Sequence, residues 1–271
     1  MKPKEVIIVD GGSTDDTLEI AKKFQVDFIL SDEGRGLGYA RDIGWRKSSS
    51  NYALFVDSDV ELNDDFIISA VDAMERDKKL GGLSGKLDSI CVGKDIMSLW
   101  MTRNLSISLH KLAPVYPEYE KESLHTAATM FRREALIRIG GFDHDMKLAL
   151  EDWAVCYKLL LSNYYLAYIN NFSKHLETPE RFRKINIRYG RARVYCKRKG
   201  YPIIVFPLRL KFASLCLILP IAILPFASYY FNKHRKLNSE IPSITQLKLG
   251  FIEVWRLILR AFGAWLGLIN V

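Results

Sequence analysis

The strongest constraint on this chain is an alternation at its N-terminal end. Apolar runs at 6–9, 26–30 and 52–56 are each followed by a Gly- or Asp-bearing turn and then by a stretch of helical periodicity. β-Branched runs of this kind suit strands covered on both faces. Strand–helix–strand repetition implies an open, mostly parallel sheet with helices on both faces, an α/β fold. Helices are expected over about 13–24, capped by Ser13 or Thr14 with Asp15 and Asp16 in the first turn, and over about 38–48 and 64–76. The pattern blurs over 81–125, where 96–112 has helical character. It resumes with a strand at 126–131, a helix at 133–139 stopped by Gly140-Gly141, a helix at 152–163, a strand at 164–169 and a basic helix at 180–199.

This topology says where to look for chemistry, because a parallel sheet binds its ligands beyond the carboxyl ends of the strands. Asp57-Ser58-Asp59 directly follows the run at 52–56. Two carboxylates one residue apart can both reach a divalent cation, Mg²⁺ or Mn²⁺, shared with substrate phosphates; alone, the same three residues also make a solvated turn capping the next helix. Asp10 follows the first strand, and Arg35 and Arg41 follow the second. Guanidinium groups suit diphosphate oxygens, although each is ordinary surface charge in isolation. Glu151-Asp152 opens a helix, where the positive helix end favours ionised carboxylates. Such a carboxylate can accept a proton from an attacking hydroxyl, or simply cap the helix. His175 follows a strand and is a candidate third metal ligand.

Six stretches in order carry a family resemblance: 7–17 (IIVDGGSTDDT), 40–44 (ARDIG), 55–60 (FVDSDV), 126–136 (TAATMFRREAL), 139–143 (IGGFD) and 151–153 (EDW). Over about 1–175 the chain resembles glycosyltransferase family 2, whose members have the GT-A fold. The resemblance implies an inverting, metal-assisted transfer of one sugar from a nucleotide-diphosphate sugar. Asp57 and Asp59 would be the family's D-x-D, with Asp59 the more direct metal ligand. Asp10 would lie in the nucleotide base pocket and Arg35 near the base or diphosphate. Asp152 would be the general base with Glu151 beside it, and Ala127, Ala128 and Thr129 would line the donor–acceptor junction. The chain departs from the pattern at Gly11, where many members carry a second acid. The family's opening strand and helix, with a Pro-x-x-Asn-Glu-like turn, have no counterpart ahead of residue 5, so the domain is expected to lack its first strand and helix. Arg181-Phe182-Arg183-Lys184 stands where processive synthases carry a glutamine-rich acceptor motif, which favours single transfer over polymerisation. A polyprenyl-phosphate sugar synthase, suggested by Gly36-Leu37-Gly38, is an alternative, and an impaired or regulatory remnant is another.

The charge is divided. The chain has 271 residues and a net charge of +8, yet residues 1–180 hold 22 basic and 29 acidic side chains, a net −7, whereas 181–271 hold 17 and 2, a net +15. An acidic body argues against a nucleic-acid partner. The nine Lys and Arg of 181–199 lead into 212–232, which has no charged residue. Basic residues beside an apolar segment read as a cytoplasmic anchor to anionic lipid. Two membrane-embedded helices, 203–230 and 247–269, are therefore expected, with a glycosyltransferase domain at 1–200, a membrane-associated helical region at 201–271 and the catalytic part on the cytoplasmic side. The other reading of the tail is a buried helical pair within a homo-oligomer. The acceptor implied is lipid-linked or a glycan near the membrane. Cys91, Cys156, Cys196 and Cys216 have neither C-x-x-C nor metal-site spacing and read as free thiols.

Overall fold

A computed structural model describes the chain except at residues 92, 94, 106–112, 115–122, 204, 206–210, 212, 217–222, 238–241 and 270–271. The element order is β1 (Ile7–Asp10), α1 (Thr17–Lys22), β2 (Phe28–Ser31), α2 (Leu37–Lys47), β3 (Tyr52–Val56), β4 (Val60–Glu61), α3 (Phe66–Arg76), β5 (Leu80–Cys91), α4 (Ile96–Leu105), β6 (Ala113–Pro114), β7 (Ala128–Arg132), α5 (Arg133–Arg138), α6 (Glu151–Leu161) and β8 (Tyr165–Glu177). A 3-10 turn at Pro179–Arg181 leads to α7 (Phe182–Arg198), α8 (Ile223–Leu237) and α9 (Ser243–Ile269). Two compact units result: Met1–Asp88 with Ile107–His175, and Ser89–Ser106 with Leu176–Val271.

In the first unit, β1 and β2 form a parallel pair. The larger sheet runs β3-β7-β5-β8-β4, with β6 also on β8. Here the expectation of a mostly parallel sheet is corrected. β7 is antiparallel to both β3 and β5, and β4 and β6 are antiparallel to β8. β3 and β5 do point the same way, as the α3 crossover between them requires. What the alternation could not reveal is that β7, arriving much later in the chain, inserts between them.

Helices cover both faces of this sheet. Ala53 and Phe55 of β3 share one core with Phe131, Leu166 and Tyr168, closed by Trp45 of α2, Leu136 of α5 and Val155 and Leu159 of α6. The alternate residues Tyr52, Leu54, Met130 and Ala167 face the opposite core, closed by Phe66, Ala70 and Met74 of α3. The two-residue period of a strand divides the cores. β5 lies inside the blurred stretch because three of its residues are glycines. At all three, neighbouring atoms occupy the space a Cβ would need: the Tyr164 side chain at Gly81, Phe131 and Leu166 at Gly82, and the Phe66 ring and the Asn171 backbone carbonyl at Gly85. Neither Ser13 nor Thr14 caps α1; the Ser13 hydroxyl instead donates to Asp10, 2.6 Å away.

In the second unit, α9 packs on α7, α8 and α4. Trp100 and Met101 of α4, Phe182 of α7 and Leu249, Ile252 and Leu259 of α9 form one core. Ala227 and Tyr230 of α8 meet Val254, Leu257, Ile258 and Ala261 of α9 in another. At Gly190 of α7 and Gly263 of α9 each helix approaches the other's backbone too closely for any side chain there. Among the described residues no helix is long and apolar enough to cross a membrane. α9 carries Lys248, Glu253, Arg256 and Arg260 and spends its long apolar face on protein. Much of the expected 203–230 segment lies outside the described residues. All four cysteines are buried free thiols.

Gly85→Ala is expected to lower stability by about 1–3 kcal/mol, because its methyl group meets the buried Phe66 ring and backbone. Chemical denaturation checks this; an unchanged midpoint would show that the ring has room to move.

Candidate active site

The site is built where β3, β8 and α6 end near one another. Pairing of β3 with β7 continues past Val56, with the Asp57 amide donating to the Ala127 carbonyl at 3.0 Å. This sets Asp57 beside the 125–127 segment. Pairing of β4 with β8 aligns Val60 with His175, so Asp59 Oδ1 lies 3.4 Å from His175 Nε2.

Arg41, on α2, reaches across this ground. Its Nη2 donates to Asp57 Oδ1 at 3.1 Å and its Nη1 to Glu151 Oε1. Glu151 is buried at the first turn of α6, and its other oxygen, Oε2, has no hydrogen-bond partner among the described residues. Burial pushes the Glu151 carboxyl up; Arg41 opposes the shift and neighbouring Asp152 adds to it. Asp152 is raised by burial too, again against the pull of Arg41, and it accepts the Trp153 amide at 2.7 Å. The residue that delivers both acids, Leu150, has φ +70°, in the left-handed region that a branched side chain avoids. Such strain costs on the order of 1–3 kcal/mol and survives only where surrounding contacts enforce it.

The loop ahead of α6 is anchored by Asp42, next to Arg41 and fully buried. Its carboxylate accepts from the Phe142 amide (3.0 Å), Trp45 Nε1 (2.8 Å) and Arg46 Nε (2.7 Å), and His144 Nε2 lies 2.6 Å away. Burial alone would raise its pKa, but these partners outweigh it and hold the carboxyl below its usual range. The loop approaching α6 is thereby tied to α2.

The expected residues are thus gathered unevenly. Asp57, Asp59, His175, Glu151, Asp152 and Arg41 form one linked group. Its three candidate metal ligands stand as two pairs, Asp59 with His175 and Asp57 with Arg41, and among the described residues no set of three His, Cys, Asp or Glu is arranged to hold a metal. Asp10 is occupied by its own turn, accepting from the Gly12 and Ser13 amides and the Ser13 hydroxyl, which lower its pKa. Arg35 stacks its guanidinium 3.6 Å from the Tyr39 ring centroid. Ala127, Ala128 and Thr129 are buried, the two alanines against Leu87, and the Thr129 hydroxyl donates to the His125 carbonyl at 2.6 Å.

His125 is the functional candidate that sequence reasoning missed. Its Nδ1 lies 3.8 Å from Asp152 Oδ2. Although 39% of the side chain is open to solvent, the surrounding protein and the nearby His175 lower its pKa, against the pull of Asp57. The available signal was its position directly before the 126–136 stretch.

The description "Glycosyl transferase family 2" matches residues 1–140. The chain belongs to that family. It is 28% identical over 181 residues to the poly-beta-1,6-N-acetyl-D-glucosamine synthase of Staphylococcus aureus (strain COL), a match covering 61% of this chain and 40% of the synthase. The chain therefore spans about 40% of the length of the curated relatives it matches. Among solved structures it is similar in fold to the mannosyltransferase PcManGT from Pyrobaculum calidifontis in complex with GDP-Man and Mn²⁺, with TM-score 0.59 and 18% identity over 96% of this chain and 77% of that one. TarS 1-349 of S. aureus in complex with UDP matches with TM-score 0.50 and 16% identity over 93% of this chain and 80% of that one. These likenesses assign a GT-A-type fold to this family 2 chain.

Replacing Arg41 with Ala leaves Glu151 buried without its counter-charge, which is expected to cost about 3–5 kcal/mol at neutral pH. A carboxyl whose pKa rises on folding binds more protons folded than unfolded between its ordinary and raised values. Stability therefore falls as pH rises through that window. Without Arg41 the rise is greater and the fall steeper, so urea denaturation at pH 5 and pH 8 should show the larger loss at pH 8. Equal losses would mean that Arg41 acts by packing alone.

Proposed function

We propose that this chain is a glycosyltransferase that moves a single sugar, with inversion, from a nucleotide-diphosphate sugar to a lipid-linked or membrane-proximal glycan acceptor. The observation carrying this reading is the pair of raised-pKa acids at the α6 N-terminus, joined through Arg41 to the turn that bears Asp57 and Asp59. In the step we assign, the acceptor hydroxyl oxygen forms a bond to the anomeric carbon while the bond from that carbon to the diphosphate oxygen breaks. The hydroxyl proton goes to Asp152, and the nucleoside diphosphate leaves with the electron pair. A raised pKa suits Asp152 to this task, because a base works best when its pKa approaches the working pH. Glu151 is tied up by Arg41 and holds the guanidinium in place, with Asp57 as the other anchor. His125, beside Asp152, positions the acid that receives the proton.

Asp59 and His175 offer an anionic oxygen and an imidazole nitrogen 3.4 Å apart, each partly open to solvent, a donor set that fits a divalent cation shared with donor phosphates. Bound there, Mg²⁺ or Mn²⁺ would supply charge neutralisation at the leaving diphosphate. The S. aureus synthase among the relatives supports an N-acetylhexosamine-type donor as the first to try. The domain assignment of 1–200 as transferase and 201–271 as membrane-associated region, with catalysis on the cytoplasmic side, belongs to the same proposal.

Asp152→Asn is expected to reduce turnover by about 10²–10⁴-fold. The affinity for a nucleoside diphosphate with Mn²⁺, read by calorimetry, should be unchanged. Full activity in this variant would refute the base assignment. Asp59→Ala should abolish the Mn²⁺-dependent part of nucleotide binding; binding that keeps its Mn²⁺ dependence would remove Asp59 from the metal set.

A further inference from the structure

Lys86, inside β5, has 0% of its surface open to solvent. Lysine is almost never fully buried unless it is paired, because its ammonium carries three donors and a charge that must leave water. Arg132, on the neighbouring strand β7, is buried too, but it spends its guanidinium on the carbonyls of Met74, Asp77 and Leu80. Among the described residues Lys86 has one hydrogen-bond acceptor, the neutral amide oxygen Oδ1 of Asn170 at 2.6 Å, and no carboxylate. Its Nζ also lies 4.3 Å from the centroid of the Phe172 ring. Asn170 and Phe172 are both exposed, so the ammonium sits one side chain beneath the surface.

The sheet sets this cation beside the candidate site. Ser84 pairs with Thr129 across β5 and β7, and the same register carried two residues further brings Lys86 level with Ala127, whose carbonyl takes the Asp57 amide. Side chains alternate along a strand, so Lys86 shares the face of Gly82, where Phe131 and Leu166 pack. Asn170 likewise follows Tyr168 on one face of β8, and Tyr168 shares its core with Val155 and Cys156 of α6. Lys86 therefore lies on the side of the sheet covered by α6, the helix that carries Asp152. Asp59 and His175 stand elsewhere, on the turn before the edge strand β4 and on the stretch of β8 that pairs with it. A cation there would take the donor phosphates, which leaves Lys86 to a group that approaches from the Asp152 side.

We infer that Lys86 is the phosphate-binding residue of the acceptor site: the acceptor carries a phosphate group, whose oxygen replaces Asn170 Oδ1 on the ammonium while the acceptor hydroxyl reaches Asp152. A phosphate supplies what the surroundings of Lys86 lack, a negative charge with several acceptor oxygens for three ammonium donors. Asn170 keeps the ammonium hydrogen-bonded until that group arrives. The inference deepens the proposed transfer by naming a class of acceptor. It rests on that reading for the acceptor's role, but the binding of phosphate to Lys86 does not depend on it.

The test is calorimetric titration of the full chain with a hexose 1-phosphate, and with the free hexose as control, at saturating nucleoside diphosphate and Mg²⁺ so that the donor site is filled. The hexose phosphate should bind and the free hexose should not. Lys86→Met is expected to weaken that binding about ten-fold or more, the worth of a charge-assisted hydrogen bond, with the nucleotide affinity unchanged. Should that variant fail to fold, Asn170→Asp provides the second arm. It places an internal carboxylate on the ammonium at an exposed position, and is expected to weaken hexose phosphate binding to a similar degree. No binding by the unaltered chain overturns the inference, as does an affinity that either variant leaves unchanged. A loss confined to nucleoside diphosphate affinity also overturns it, because Lys86 would then belong to the donor. If the nucleotide itself does not bind, the transferase reading fails alone, and the hexose phosphate titration without nucleotide still decides the role of Lys86.

Discussion

The first unit depends on one half-buried guanidinium. Arg41 holds a carboxylate from the α6 terminus on one arm and a carboxylate from the β3 turn on the other. Glu151 could not remain buried and ionised without it, since an unpaired charge in that position would take up a proton or open the structure. The fork also fixes a distance: the two acidic turns cannot drift apart while both are held by one planar group. Asp42, the adjacent residue, performs the same service for the loop ahead of α6. Two consecutive side chains of one helix thus anchor segments that lie about 100 residues further along the chain.

The chemistry of the site follows from how that anchoring is arranged. Asp42 is buried but surrounded by donors, so it stays an anion and serves structure. Glu151 is buried and Asp152 half-buried, both with fewer donors, so their protons are held more tightly. Carboxylates of one ordinary acidity thereby acquire different tasks from their surroundings alone. The left-handed Leu150 shows that the polypeptide accepts strain to aim the pair.

Much of this was legible in the sequence, and the exceptions have physical reasons. Strand–helix alternation and the acids at strand ends are local patterns, and the structure has the expected crossovers with Asp57, Asp59 and Glu151-Asp152 at their ends. The position of β7 is not local. Its apolar residues read as a strand, but nothing nearby in sequence tells that it runs antiparallel between β3 and β5. β5 was obscured because the glycines that let the Phe66 and Phe131 rings lie against it also erase the β propensity of its sequence. His125 carries no motif of its own and becomes visible only when α6 brings Asp152 beside it. In the tail, apolar content was read as two membrane-embedded helices, and periodicity alone did not tell that α9 divides its apolar residues between a protein-facing side and an exposed row.

The insertion of β7 also orders events in time. Tyr52 of β3 and Arg132 of β7 are 80 residues apart, and until that segment exists neither β3 nor β5 has its partner in the sheet. A chain emerging from the ribosome therefore carries two unpaired strand edges through the synthesis of everything between them. Unpaired edges are templates for wrong pairing. The long separation that makes the site compact in space makes it late in folding, so the growing chain must be kept from aggregation before the site can form.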